Sequence, residues 1–209
     1  FMCNSPSRRA SEIRQRSELG LPSDNFIFCN FNAQSKVNIE ALLSWKRILE
    51  GCLDAYLWLP DNGATKRSEY EEIFEGTAPR LIWASFAADH REHLARLGCA
   101  DLMLDNFPYG AHATAADAIL QGLPVLSHVG RSFQSRVSYS LMTNAGISNL
   151  GAKSWDDFQT KAINFYDEYS SNKRNRLRQK LLMDSAPKHP CNVVSYCSEF
   201  EQKLMDLLR

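Results

Sequence analysis

The feature of this sequence that most limits its fold is a regular alternation of short apolar runs with longer amphipathic runs. The short runs are rich in Leu, Ile, Val, Phe and Trp, and we predict strands at residues 25–31, 55–59, 80–84, 100–105 and 123–129. The segments between them carry apolar residues at helical spacing, which predicts helices at 38–53, 68–76, 90–98 and 113–122. Because right-handed crossovers place helices on both faces of a parallel sheet, this order predicts a Rossmann-like α/β fold.

After residue 129 the pattern becomes helical, with further helices predicted at 132–146, 154–169, 172–183 and 194–208. We therefore divide the chain into three parts. A polar lead-in or linker covers 1–23, a Rossmann-like core covers 24–150, and C-terminal helices that pack on the core cover 151–209. A chain of 209 residues that is 44% hydrophobic and 23% charged has enough apolar residues for one such core.

The charge balance argues against two classes of partner. Lys plus Arg and Asp plus Glu each total 24, so nothing marks a nucleic acid or an anionic membrane surface as a partner. No apolar run reaches the roughly 18 residues that span a bilayer, and the first residues lack the apolar centre of a secretory signal. The chain opens on Phe1, which leads us to expect a fragment of a longer protein.

The cysteines favour a reducing compartment. The 6 cysteines form no C-x-x-C pair, and three of them lie inside apolar segments, as small buried thiols do. An intracellular protein is therefore the simpler interpretation, although a disulfide or a zinc site stays open at this point.

The stretch from residue 104 to 126 is the first candidate site, because a strand, a polar loop, a helix and a second strand follow one another there. In open parallel sheets, ligands bind beyond the carboxyl ends of the strands, where helix N-termini offer unpaired N–H groups. Gly110 would let the backbone approach a ligand, His112 and Thr114 could donate, and Asp117 could accept from a hydroxyl. Such a set could hold a phosphate joined to a sugar, but it could also do no more than cap the helix.

A second candidate lies in the loop after the first strand, "FCNFNAQSK" at 28–36. Lys36 follows that strand at the same carboxyl edge, where its charge could neutralise a diphosphate and stabilise a leaving nucleoside diphosphate. The alternative is a solvated surface lysine.

The predicted helix at 90–98 carries the third candidate. His90, His93 and Arg96 recur every three residues and therefore line one helix face. They could surround a base and a ribose, the two histidines could bind a metal, or all three could be surface residues. At or near the next helix start, Arg131, Ser135 and Arg136 could add a lip to the same pocket or could serve packing.

Several of these motifs in register resemble one family. "DNFPYGAHATAADAILQGLPVLSHVGRSFQSRVSYSLMTNAG" at 105–146 resembles the "D-x-x-P-x-x-G-H-T-T-x-x-D-x-L-W-x-G-x-P" segment and following "S-R-V" helix of the protein O-linked N-acetylglucosamine transferases, which include the plant SPINDLY proteins. "FNAQSK" at 31–36 resembles the "F-N-x-x-x-K" of that family, and the likeness runs from about residue 15 to the C-terminus. The family has two Rossmann-like lobes with the nucleotide-sugar between them, usually preceded by tetratricopeptide repeats. The resemblance implies that this chain is the C-terminal, donor-binding lobe.

The resemblance also implies roles for the diphosphate side of the site. Lys36 would neutralise the departing phosphate as the catalytic cation. His112 and the helix start at Ala113 and Thr114 would hold the UDP diphosphate. The family has Thr where this chain has Ala113, so one hydroxyl contact is lost although the backbone N–H remains.

On the nucleoside side, the resemblance implies that His93 and Arg96 frame the uridine and that Asp117 meets the ribose. His90 stands where some members have a ribose-binding lysine. Many members also have Gln at the position of Ala33. These departures are compatible with weaker donor binding or with a different sugar.

By resemblance, the expected reaction is inverting transfer from a UDP-sugar, UDP-N-acetylglucosamine in the first instance, to Ser or Thr hydroxyls of proteins. The family uses no metal and no further cofactor, and the sequence contains no D-x-D motif. The expected partners are an acceptor protein, the N-terminal lobe with its active-site histidine, and tetratricopeptide repeats, in the cytoplasm or nucleus. The alternative is a non-catalytic Rossmann-like interaction module that has lost transfer activity.

Overall fold

The fold is an open sheet of six parallel strands with helices on its faces, in a computed structural model that describes residues 14–168, 171–183 and 189–208. The strand order is β3-β2-β1-β4-β5-β6. The strands are β1 (Ile27–Cys29), β2 (Tyr56–Pro60), β3 (Leu81–Ala84), β4 (Leu102–Leu104), β5 (Val125–His128) and β6 (Gly151–Ala152). Each of the strands predicted from the sequence forms, and the predicted α/β Rossmann-like class is confirmed.

The helices follow the strands in the expected order. They are α1 (Ile39–Gly51), α2 (Ala64–Ile73), α3 (His90–Leu97), α4 (Ala113–Leu120), α5 (Val137–Asn144), α6 (Trp155–Asp167), α7 (Ser171–Leu182) and α8 (Val193–Leu207). Single 3-10 turns lie at Arg16–Leu19, Gln34–Lys36, Ala78–Arg80 and Phe133–Ser135. Helix α2 begins four residues before its predicted start, because its first turn holds few of the apolar residues that reveal a helix in sequence.

The central strands are buried on both faces, which explains their continuous apolar runs. Phe28 of β1 lies opposite Leu102 of β4, and Leu104 of β4 lies opposite Leu126 of β5. All four side chains are at most 1% exposed. Because β1, β4 and β5 are buried up to their last residues, the positions at which the following loops begin are fixed by the core.

The described part of the lead-in is packed on the core. Arg16 pairs with the buried carboxylate of Asp101 at 2.7 Å and also donates to the carbonyl oxygens of Cys99 and Asn25. Asp101 in turn accepts from the N–H of Ile27 at the start of β1. The first 13 residues lie outside the described part of the chain.

The C-terminal part, which the sequence analysis describes as helices packing on the core, begins with a strand. Gly151 and Ala152 pair with the end of β5 and extend the sheet beyond residue 150. Helix α6 then packs on α1, where Ile163 lies against Gly51. No residue of α8 is buried, although it carries apolar side chains. Within the described residues, no helix is both long and apolar enough to cross a bilayer.

Candidate functional site

The candidate site lies at the carboxyl edge of the sheet, where the loops after β1, β3 and β4 approach one another. Lys36 closes the 3-10 turn after β1, and His112 is the residue before the first turn of α4. After β3, the carboxylate of Asp89 accepts from the N–H of Glu92 at 2.8 Å and caps α3, which starts at His90. A parallel sheet brings these loops together because all its strands end at the same edge.

One part of the site is built on α3, and we call His90, His93, Arg96 and Asp117 the α3 cluster. The Arg96 guanidinium donates to the carbonyl of Ser85 at 2.8 Å and lies 2.9 Å from Nδ1 of His93. It also lies over the ring of Phe31, 4.5 Å from its centroid. With only 9% of its surface exposed, Arg96 is held firmly between the loop after β1 and the loop after β3.

His93 is kept neutral by this environment. Burial is the main cause, and the neighbouring charges of Arg96 and His90 add to it, so that the pKa of His93 falls to about 4. A neutral imidazole offers one donor and one acceptor. The Arg96 guanidinium can only donate, so Nδ1 of His93 accepts from it and Nε2 carries the proton.

Asp117 joins the α3 cluster from the neighbouring helix. Its carboxylate lies 3.8 Å from Nε2 of His90, and only 4% of the residue is exposed. The rings of His90 and His93 are 6.1 Å apart. The spacing of three residues along α3 therefore does place both histidines on one face, and α4 supplies the acid that faces them.

The other part of the site, which we call the loop cluster, consists of Lys36, Tyr109 and His112. The Lys36 ammonium donates to the carbonyl of Gly110 at 3.2 Å. Nε2 of His112 lies 3.2 Å from the carbonyl of Gln134 and therefore donates to it, because a carbonyl can only accept. Burial lowers the pKa of Lys36, and the carboxylate of Asp105 partly offsets this effect.

The start of α4 presents backbone donors beside the loop cluster. The first hydrogen bond within this helix runs from the N–H of Ala116 to the carbonyl of His112, at 3.1 Å. The preceding N–H groups of Ala113 and Thr114 thus have no partner within the helix, and they point along the positive end of its dipole. Together with Lys36 they form a set of donors suited to an anion.

A buried polar network beneath the loop cluster was not predicted from the sequence. Asp105 accepts from the N–H groups of Ala111 and Asn106 at 2.7 and 2.8 Å, from the side-chain amide of Asn32 at 3.2 Å, and from the hydroxyl of Ser138. Burial raises its pKa, and these hydrogen bonds oppose the rise. Asp105 thereby ties the loop after β1, the loop after β4 and helix α5 together.

Gly110 is needed for this internal packing. A Cβ atom at this position would lie 2.9 Å from a carboxylate oxygen of Asp105 and 3.3 Å from the carbonyl of Gln134. The N–H of Gly110 also donates to that carbonyl at 3.1 Å. The loop can therefore fold against Asp105 only because this residue lacks a side chain.

The predicted lip after β5 contributes a backbone group rather than its charged side chains. Gln134 uses its carbonyl to hold His112, as described above. Ser135 is buried and bonds within its own turn, to Ser132. Arg136 bonds to the same turn at the surface. Because every residue has a backbone carbonyl, the contact between Gln134 and His112 has no signal in the sequence.

The two parts of the site differ in chemistry and share helix α4, which starts at the loop cluster and carries Asp117 toward the α3 cluster. Cationic and backbone donors suit a diphosphate, whereas a neutral histidine, a guanidinium and a carboxylate suit a base and a ribose. Among the residues that the structure describes, no group of three or more His, Cys, Asp or Glu side chains is arranged to hold a metal ion. An open parallel sheet with polar groups at its carboxyl edge defines the class of Rossmann-like α/β domains.

Comparison with known proteins gives the family. The model of glycosyl transferase family 41 matches residues 5–200, and the chain belongs to that family. Over 195 residues it is 29% identical to the UDP-N-acetylglucosamine–peptide N-acetylglucosaminyltransferase of Caenorhabditis elegans, covering 92% of this chain and 17% of that protein. It is 30% identical to the probable enzyme of the same name, SEC, of Arabidopsis thaliana, over 71% of this chain and 16% of that protein. The resemblance drawn from the motifs is thus confirmed.

Solved structures agree with the fold. An O-GlcNAc transferase of Thermobaculum terrenum, solved as its K341M mutant, superposes with a TM-score of 0.77 at 23% identity and covers 96% of this chain and 38% of that one. WaaG, a glycosyltransferase of lipopolysaccharide biosynthesis, superposes with a TM-score of 0.64 at 17% identity, covering 87% of this chain and 50% of that one. The chain spans about a fifth of the length of the curated relatives it matches, such as 17% and 16% of the two named above.

Proposed function

We propose that this chain is the donor-binding lobe of a protein glycosyltransferase, which transfers a sugar from a UDP-sugar to Ser or Thr hydroxyls. The observation that supports the proposal is that the loop cluster and the α3 cluster share one sheet edge and one helix. The names of the relatives specify N-acetylglucosamine, a UDP donor and a peptide acceptor. UDP-N-acetylglucosamine is therefore the donor that we propose.

In the proposed inverting reaction, the acceptor oxygen forms a bond to the anomeric carbon as the bond from that carbon to the diphosphate oxygen breaks. The hydroxyl proton passes to a base that we expect on the other lobe. Negative charge grows on the leaving diphosphate, and Lys36 with the N–H groups at the start of α4 would stabilise it there. With these groups stabilising the leaving diphosphate, the proposed reaction would need neither a metal ion nor a further cofactor.

The α3 cluster would hold the nucleoside. The neutral ring of His93 and the guanidinium of Arg96 offer a flat surface with hydrogen-bonding edges, which suits a uracil ring. Asp117 can accept from the ribose hydroxyls, and His90 lies beside it at 3.8 Å. These contacts would fix the donor so that its diphosphate reaches Lys36.

The proposed partners are the other lobe of the enzyme, tetratricopeptide repeats that precede it, and an acceptor protein. We place the protein in the cytoplasm or the nucleus. The thiols of Cys29 and Cys52 are fully buried, and burial raises the pKa of Cys52 to about 12, which keeps it protonated and fits a reducing compartment.

The test is calorimetric titration of the 209-residue chain with UDP and with UMP, in buffer containing EDTA. We expect UDP to bind more tightly than UMP. Lys36→Ala should weaken UDP binding at least tenfold, because a charged hydrogen bond to phosphate contributes about 1.5–3 kcal/mol. Lys46→Ala is the matched control, since that lysine has only a 3.9 Å surface pair with Glu50 on α1.

Three results would contradict the proposal or a part of it. A folded sample that binds neither nucleotide would favour the alternative, a Rossmann-like interaction module without transfer activity. Equal UDP affinity in the wild type and in Lys36→Ala would remove Lys36 from the donor site. UDP binding that is seen only when EDTA is left out of the buffer would contradict the metal-independent part of the proposal.

A further inference from the structure

Tyr109 is a tyrosine that the sequence motifs leave without a role, and its ring lies between two of the candidate diphosphate residues. It follows β4 in the loop that leads to α4, and 45% of its surface is exposed. The Lys36 ammonium lies over one part of this ring, 4.1 Å from the centroid. The ring of His112 stacks on it with centroids 5.1 Å apart and an interplanar angle of 23°.

These contacts have different consequences for the two neighbours. Lys36 has lost part of its hydration, as the lowering of its pKa by burial indicates. The ring face and the Gly110 carbonyl contact the ammonium directly, and the carboxylate of Asp105 partly offsets the effect of burial. His112 also contacts the ring of Phe133 in a T-shaped arrangement, with centroids 5.9 Å apart. Tyr109 is therefore the one ring, among the described residues, that contacts both Lys36 and His112.

A lysine side chain loses considerable rotamer freedom when it is fixed on a ligand. If it is already ordered before the ligand arrives, less of that cost falls on binding. The tyrosine ring can order Lys36 without neutralising it, because a cation–π contact leaves the ammonium charged. A carboxylate in the same place would instead repel a diphosphate.

We propose that Tyr109 is a positioning residue whose ring holds the Lys36 ammonium and the His112 imidazole in the arrangement that receives a diphosphate. The inference rests on the proposed function and deepens it. Because the aromatic ring makes the contacts with Lys36 and His112, the phenolic hydroxyl is not needed for the positioning. Tyr109 acts mainly through the charged Lys36, so most of its contribution disappears when Lys36 is removed.

The experiment compares UDP titrations of the full chain carrying Tyr109→Leu, Tyr109→Phe, Lys36→Ala or the combination of Tyr109→Leu with Lys36→Ala. Tyr109→Leu should raise the Kd for UDP about three- to tenfold, the size expected for losing a cation–π contact at a partly exposed site. Tyr109→Phe should restore wild-type affinity. In the Lys36→Ala background, Tyr109→Leu should have little further effect, because the two residues are coupled.

Tyr196→Leu is the matched control for the loss of an exposed tyrosine, because that ring stacks on Phe200 within α8 and has no other ring contact among the described residues. It should leave UDP affinity unchanged. The proposal is overturned if Tyr109→Leu binds UDP like the wild type, if Tyr109→Phe is as weak as Tyr109→Leu, or if the losses from the Lys36 and Tyr109 substitutions add independently.

A second measurement separates failure of this inference from failure of the proposed function. In NMR spectra without ligand, the protons next to the Lys36 nitrogen should show an upfield ring-current shift in the wild type and in Tyr109→Phe. The shift should disappear in Tyr109→Leu. If the wild type does not bind UDP, the proposed function fails, and the presence or absence of this shift still decides whether the ring positions Lys36.

Discussion

The α3 cluster and the loop cluster face the same sheet edge but are built in opposite ways. Arg96 is 9% exposed and is held by a carbonyl, an imidazole and an aromatic ring within and beside one helix. Tyr109 is 45% exposed, and its neighbours come from the loop after β1 and the start of α4. Arg96 of the α3 cluster is thus a rigid part of the core, whereas the loop cluster is assembled from loops.

This difference predicts which substitutions alter the stability of the protein and which alter only its ligand affinity. Buried groups that pack and hydrogen-bond in the core contribute to folding, so changes at Arg96 and His93 should affect stability and binding together. Exposed loop groups contribute little to folding and can change ligand affinity alone. Asp105, the buried acceptor at the centre of the network beneath the loop cluster, should behave as a member of the core.

The largest effect is expected on stability, from the substitution of Asp105. Asp105→Ala leaves the N–H groups of Ala111 and Asn106 without their side-chain acceptor in a buried place, and the amide of Asn32 keeps only its bond to Asn106. The free energy of unfolding, measured by urea denaturation, should fall by about 3 kcal/mol or more.

Asp105→Asn is the conservative comparison, because the amide oxygen can still accept from the backbone donors, and its loss should be clearly smaller. Asp24→Ala serves as a control at an exposed carboxylate that bonds only to the neighbouring Ser23. If Asp105→Ala costs no more than Asp24→Ala, the loop cluster does not depend on the buried network.

An intermediate effect is expected from the pH dependence of stability. The pKa of His93 is lowered to about 4 in the folded state, whereas an unfolded histidine titrates near 6.5, so the unfolded chain binds more protons between these values. Stability should therefore fall as the pH falls from about 6.5 to 4 and level off below. Allowing for solvent screening of this partly exposed ring, the loss should be about 1–2 kcal/mol.

His93→Gln should flatten this part of the stability profile, as followed by urea denaturation at several pH values. The comparison that controls for a general effect of losing a histidine is His90→Gln, since His90 is exposed at the surface of the same helix. An unchanged slope in His93→Gln would show that His93 is not held neutral by the fold.

The smallest effect is expected at the start of α4. Ala113 is exposed, so Ala113→Thr has room for a hydroxyl beside the backbone donors. The variant should bind UDP about two- to fivefold more tightly, the size of one added hydrogen bond. Ala113→Val has the same shape without the hydroxyl, and equal affinities of the two variants would exclude a hydroxyl contact with the ligand.

Much of the fold was predictable because its signals are local. Hydrophobic runs predicted the strands that flank the site, and helical spacing predicted the helices between them. Strand β6 contains only Gly151 and Ala152, so it has no hydrophobic run that could predict it. The α3 cluster was predictable for the same reason, since a spacing of three residues places His90, His93 and Arg96 on one face.

The rest of the site depends on tertiary contacts that a sequence does not display. Asp105 ends an apolar strand, and nothing local tells a buried hydrogen-bonded aspartate from a solvated one. The support of His112 by the carbonyl of Gln134 is made by backbone. An exception is Tyr109, whose large ring in a loop between two candidate residues was a signal that could have been used.

The central claim is that one edge holds a diphosphate part and a nucleoside part, and the most direct test is the ratio of UDP to UMP affinity in two variants. The account predicts that Lys36→Ala brings this ratio close to one, because it removes the cation facing the second phosphate. It predicts that His93→Gln weakens UDP and UMP binding equally and keeps the wild-type ratio. If this ratio changes equally in both variants, or keeps its wild-type value in Lys36→Ala, the division of the site into a diphosphate part and a nucleoside part is contradicted.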